Sequence, residues 1–273
     1  MRKITVVTDS SAYFKRAEAE GLGVKIVPIG WSAGGRFYLE SYGDCNGEFE
    51  SVIKKSPDVS TAHPGAASYL SVFEEETAKG NEVLCLTISS RLSGAYGSAH
   101  EAAARMANGS VAVFDSRLSA GGLYLLVKKA AELAAVGLSL EQITEKLYEI
   151  RDSITVMFSV GDIEPLRRSG RIGLVRKGVA TILNRRPILV LGDGVVISDM
   201  VARGENDVIR KLVAGVSPNA AEIVVSYVGN GRLAADIYGA LVKSFAPGTV
   251  RLQKMGPVLG IHLGLNVVAV SYI

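Results

Sequence analysis

Short β-branched runs alternate with helical patterns through the first half of this chain, and that alternation restricts it to a mainly parallel sheet with helices on both faces. Ile4 to Thr8, Val24 to Ile29, Glu82 to Thr87 and Val111 to Phe114 predict strands. Pro64 to Lys79 predicts a helix, with proline in the first turn and Leu70, Phe73 and Thr77 at helical spacing. Ser119 to Val136 and Ser139 to Arg151 predict two more, split by Gly137. Near Ser153 the rhythm changes. "SITVMFSVGD" predicts a strand, short helical pieces run on through Asn184, and "PILVLGDGVV" predicts two strands around a Gly-Asp-Gly turn. A further βα unit, "AEIVVSYVGNGRLAADIYGALVKSF", leads into "KMGPVLGIHLGLNVVAVSYI", which predicts two more strands. The change of rhythm sets an expected boundary between an N-terminal α/β domain, residues 1–153, and a smaller mixed α/β domain, residues 154–273.

The 273 residues are 48% hydrophobic and 21% charged, enough to bury a large core. Cys45 and Cys85 lie far apart without metal-ligand spacing, so a zinc cluster and a disulfide framework are both unexpected. There is no run of about 18 uncharged apolar residues, which leads us to expect a cytoplasmic protein with no integral membrane association. No metal or cofactor is expected.

Two stretches place hydroxyls before helices. "LTISSRLSGAYG" sets Ser93 and Gly94 where a strand hands over to a helix, and "DVSTAHPG" sets Ser60, Thr61 and His63 before another. Helix N-termini have unpaired N–H groups and favour anions, although an N-cap serine is more often structural. The carboxyl ends of parallel strands share one edge, so the two helix starts are expected to converge there. His262 lies in a glycine-rich apolar stretch, where a histidine is either a satisfied core residue or a donor to a carboxylate. Arg167, Arg168, Arg171, Arg176, Lys177, Arg185 and Arg186 occur with no acid between Glu164 and Asp193, against a net charge of +3 for the whole chain. That run reads as a solvated face, as a phosphate or nucleic-acid contact, or as a docking surface. No helix-turn-helix or aromatic RNA-binding pattern accompanies it, so a nucleic-acid partner is not expected. "GNGRLA", Gly229 to Ala234, matches a dinucleotide pattern, but no acid occurs after Asp236 to take ribose hydroxyls, and it reads as a βα turn.

In order along the chain, "VVTDSSAYF", "STAHPGAASYLSVFEE", "ISSRLSGAYGSA", "VFDSRLSAGG", "LRRSGRIG" with "RPIL", and "GPVLGIHLG" resemble the motifs of the DegV family of bacterial proteins. The resemblance spans essentially the whole chain. It implies a two-domain α/β fold that buries one long-chain fatty acid between its domains. It also implies a role as the fatty-acid-binding subunit of a fatty acid kinase, whose separate kinase subunit phosphorylates the bound carboxylate to an acyl phosphate. By position, Ser93 matches the family's carboxylate-binding serine, with Gly94 beside it; Thr61 matches its partner threonine, His262 its C-terminal histidine and Arg171 the arginine of its G-R-I motif. Arg167, Arg168, Arg176 and Lys177 are then candidates for docking the kinase subunit, and a monomer is expected. The chain departs from the family pattern at Thr61-Ala62-His63-Pro64, in place of Thr-Ser-Gln-Pro, and at His262-Leu263-Gly264-Leu265-Asn266, in place of His-Thr-Gly-Pro-Gly. Leu263 and Leu265 are expected at the mouth or wall of the tail cavity. A serine hydrolase, with Ser93 as nucleophile, His262 as base and Asp115 as orienting acid, is the competing reading, although the G-x-S-x-G elbow is missing.

Overall fold

Ile4–Asp9 (β1) is buried at all six positions, as an inner strand of a parallel sheet must be when both of its faces are covered. The structure is a computed structural model that describes residues 3–107, 109–172 and 185–273. After β1 come α1 (Arg16–Leu22), β2 (Lys25–Val27), β3 (Ile29–Ala33), β4 (Arg36–Glu40), α2 (Phe49–Lys55) and β5 (Val59–Ala62). Then follow α3 (Ala66–Ala78), β6 (Glu82–Thr87), α4 (Ala95–Ala103), β7 (Val111–Asp115), α5 (Ala120–Ala135) and α6 (Leu140–Ser153). The second half holds β8 (Thr155–Val160), α7 (Glu164–Arg168), β9 (Arg185–Gly192), β10 (Val195–Arg203) and α8 (Gly204–Ala214). The chain finishes with β11 (Ile223–Val228), α9 (Arg232–Leu241), β12 (Val250–Lys254), α10 (Pro257–Leu263) and β13 (Val267–Tyr272).

The strands form three sheets. The first, in the order β2-β1-β6-β7, is parallel throughout, as the alternation requires. A second, β4-β3-β5, is antiparallel. The third, β10-β9-β8-β13-β11-β12, is antiparallel apart from the β11/β12 pair. α5 lies against β1 on one side and against β8, β11 and β13 on the other. Its glycines permit the approach: a Cβ on Gly122 would stand 2.5 Å from Val156 Cγ2, and one on Gly121 2.9 Å from Ser271 Oγ.

Three expectations are corrected. The run Val24 to Ile29 is not one strand, because Pro28 lacks an amide for a ladder; the chain breaks there and β2 and β3 enter different sheets. Thr61 does not precede a helix directly. It lies on β5, opposite Trp31, and α3 starts later with Gly65 as its N-cap. The C-terminal stretch is a helix and a strand rather than two strands: Pro257 opens α10 at its first position, where its missing amide costs no hydrogen bond. The Gly-Asp-Gly turn forms as expected, with Asp193 and Gly194 both at positive φ, 46° and 79°, between β9 and β10. Gly229 serves packing, since a Cβ there would lie 2.0 Å from the Leu265 carbonyl oxygen. No helix among the described residues is long and apolar enough to cross a membrane.

Candidate functional site

The loop after β6 ends at Gly94, the N-cap of α4, and this hand-over is tied down by two carboxylate acceptors, buried Asp9 and half-buried Asp115. Asp9, at the end of β1, accepts the Ile88 amide at 2.7 Å and the Ser11 hydroxyl at 2.5 Å. Asp115, at the end of β7, accepts the Ser90 amide at 3.0 Å and the Ser90 hydroxyl at 2.5 Å. Burial raises the Asp9 carboxyl above the ordinary carboxylate range, against the pull of its hydrogen bonds. Ser93 is thereby held half-buried with its Oγ accepting the Ala95 amide at 3.3 Å. Gly94 lies against the His63 ring, where a Cβ would come within 2.8 Å of the imidazole.

α10 brings in the histidine. His262 Nε2 and Thr61 Oγ1 are 2.7 Å apart, which joins the last helix to β5 across 201 positions of sequence. Burial, and next the nearby Arg171 guanidinium, lower His262 to about 4, so the ring is neutral near pH 7. Its Nδ1 is buried without a hydrogen-bond partner among the described residues. Arg171 is exposed and held through its Nη1 by the Ser169 carbonyl and through its Nε by the Leu92 carbonyl at 3.4 Å.

Thr61, Ser93, Gly94, Arg171 and His262 all line one cavity. Its remaining wall is mostly apolar: Ile29, Ile88 and Leu92 come from the first half of the chain, and Phe158, Leu191, Val196, Val258, Leu259 and Ala269 from the second. Thr61, Arg171 and His262 also border an outer cleft with Asp58, Asp162, Arg168 and Ser169. Polar groups therefore stand between an apolar interior and an open, charged exterior. Of the two leucine departures, Leu263 lines the inner cavity and Leu265 the outer cleft. Sequence reasoning missed Ser119, which lines the inner cavity.

The hydrolase constellation is not assembled. His262 engages Thr61 rather than Ser93, and Asp115 is committed to Ser90. The basic run is less unbalanced than its sequence suggests: Arg167 pairs with Glu164 at 2.9 Å and Arg186 with Glu205 at 3.2 Å. Arg168 is exposed on α7, whereas Arg176 and Lys177 lie outside the described residues.

A parallel sheet and a largely antiparallel one, meeting at an apolar cavity with a polar mouth, define an α/β protein built around an internal site. The chain belongs to the DegV family: the family model, described as an uncharacterised protein of the DegV family, matches residues 3–273. A DegV domain-containing protein of Halalkalibacterium halodurans is 28% identical over 279 residues, covering 100% of this chain and 99% of its own. Among solved structures, a DegV family protein from Thermus thermophilus, described by its fatty acid binding, superimposes with a TM-score of 0.87. It is 28% identical and 99% of each chain is covered. A DegV lipid-binding protein from Thermotoga maritima has the same fold, with a TM-score of 0.88 at 23% identity, covering 99% of this chain and 98% of that one.

Proposed function

We propose that this protein binds one long-chain fatty acid, with its tail in the apolar cavity and its carboxylate at the mouth. In this reading the Ser93 hydroxyl and the Gly94 amide donate to the carboxylate, Arg171 faces it from the outer cleft, and neutral His262 donates through Nδ1 while its Nε2 accepts the Thr61 hydroxyl, which fixes that tautomer. The observation that carries the reading is the buried Nδ1 of His262, without a partner among the described residues, beside hydroxyls at the entrance of an apolar cavity. A buried carboxylate costs several kcal/mol unless it is hydrogen-bonded, and charge-assisted bonds of this kind supply that. The tail supplies affinity: at about 0.8 kcal/mol per methylene, a 16-carbon chain gains on the order of 10 kcal/mol before ordering costs. The fatty acid binding described for the Thermus thermophilus relative, at 28% identity over 99% of both chains, supports the same ligand class.

The finer reading assigns residues 1–153 and 154–273 to two domains with the ligand between them. The protein would act as a cytoplasmic, monomeric carrier rather than as an enzyme. A separate kinase subunit docks over the outer cleft, and a carboxylate oxygen attacks the terminal phosphorus of a nucleoside triphosphate to give an acyl phosphate and the diphosphate. The charged rim of that cleft, with Arg168 and Arg171, suits such a partner.

The test of ligand class is mass spectrometry of an organic extract of the purified protein, followed by titration of the delipidated protein with palmitate. We expect about one fatty acid per chain and saturable uptake. Trace lipid together with no palmitate binding would overturn the reading.

A further inference from the structure

Ser119 stands at the N-cap position of α5 but does not cap it, since its side chain makes no hydrogen bond to the helix amides. The residue is only 7% exposed, and its Oγ is buried without a partner among the described residues. It nevertheless lines the cavity. A hydroxyl taken out of water and left unpaired in an apolar wall is unfavourable, so a ligand oxygen that pairs with it is favoured over a methylene at the same place.

Ser119 is also carried by a different element from the groups assigned to the carboxylate. Those come from the start of α4, α10 and the loop after α7, whereas Ser119 opens α5, which packs between the two large sheets. β8 and β13, against which α5 lies, add Val156, Phe158 and Ala269 to the cavity wall, all of them apolar. α5 is a 16-residue helix, so its N-terminal end presents partial positive charge to an electron-rich oxygen. The serine hydroxyl can both donate and accept, which suits a chain hydroxyl as well as a chain carbonyl.

We propose that the cavity has a second polar station at Ser119, which hydrogen-bonds an oxygen carried on the acyl chain, so that a hydroxylated or oxo long-chain acid is a preferred ligand class. The inference rests on the fatty-acid reading and narrows its substrate.

The delipidated protein is titrated with palmitate and with a series of monohydroxypalmitates whose hydroxyl is stepped along the chain, using wild type and Ser119→Ala. We expect one isomer, or two adjacent ones, to bind wild type at least as tightly as palmitate does. Those isomers should lose about tenfold or more relative to palmitate in Ser119→Ala, because the ligand hydroxyl is then buried unpaired. Palmitate itself should change by less than about threefold, the effect of at most one weak neutral contact. The melting temperature of the ligand-free variant, equal to or above that of wild type, shows that the variant is folded. If palmitate and every isomer weaken by the same factor, Ser119 belongs to the carboxylate cluster and the proposal is wrong. If palmitate binds wild type and every isomer binds worse regardless of hydroxyl position, the station does not exist while the fatty-acid reading stands. If wild type binds neither palmitate nor any isomer, both fall.

Discussion

Ser93 meets two demands at once, since its Oγ accepts the Ala95 amide at 3.3 Å while the residue stays half-exposed to the cavity. That long bond stabilises the start of α4 modestly and leaves the hydroxyl hydrogen to donate elsewhere. Ser93→Ala should therefore cost the fold about 1 kcal/mol, the usual net worth of one hydrogen bond, and lower the melting temperature of the ligand-free protein by about 2 to 4 °C. Palmitate affinity should fall by more, about 1.5 to 3 kcal/mol or roughly 10- to 150-fold, because a buried carboxylate loses a charge-assisted donor. Isothermal titration beside thermal melts separates the two effects, and unchanged affinity would reduce Ser93 to a structural residue of the turn before α4. Ser93 and Gly94 were legible because hydroxyl and glycine follow an apolar run and precede an alanine-rich helix. Ser119 was not. A serine just before a helical run reads as a cap, and only the folded geometry shows its hydroxyl unused.

Among the elements, α10 departs furthest from its local pattern. Its residues, PVLGIHL, include two β-branched side chains and a mid-helix glycine, both unfavourable to helix, so the helix depends on what it packs against. Glu40, at the end of β4, accepts the Val258 amide at 3.0 Å and the Ser10 hydroxyl at 2.9 Å, while Gly260 brings α10 close to Phe49. Glu40 is fully buried, and burial raises its carboxyl from 4.5 to about 7. Between those values the folded protein keeps a proton that the unfolded chain has lost, so stability falls as pH rises through the window and levels above it. Glu40→Gln keeps the size and cannot ionise. Relative to this variant, wild type should lose about 1 kcal/mol of stability per pH unit between pH 5 and 7, and no more above pH 7. Urea unfolding of both proteins across that range would show a constant difference if burial did not shift Glu40. Because α10 carries His262, the same contact seats the imidazole against Thr61.

At the scale of the whole molecule, the proposed kinase docking assigns the basic run to a partner surface rather than to the ligand. A fatty acid bears one charge, whereas Arg167 and Arg168 face solvent. Arg167→Glu combined with Arg176→Glu should leave palmitate affinity within a few-fold of wild type and abolish acyl phosphate formation with the cognate kinase subunit, since charge reversal at a docking surface repels the partner. Loss of palmitate would place the run in the ligand site, and retained phosphorylation would make it a solvated face. The parallel sheet was readable from β1, β6 and β7 because their residues are apolar at consecutive positions and helices separate them. The antiparallel sheet β4-β3-β5 was not, because β4 is an edge strand with Phe37 and Leu39 exposed and presents no clean alternation. Nor was the insertion of the last strand, β13, between β8 and β11, where its pairing with β8 spans more than a hundred residues and no local pattern encodes it. By itself the sequence determined the alternation of elements, the family motifs and the hydroxyl at the α4 start, all of which depend on contacts within a few residues. Tertiary structure alone decided that α10 is helical, that Thr61 on a strand meets His262, and that Ser119 is left without a partner among the described residues. Each of these depends on which distant groups satisfy or fail to satisfy a buried polar atom, and that is settled only when the sheets close over the cavity.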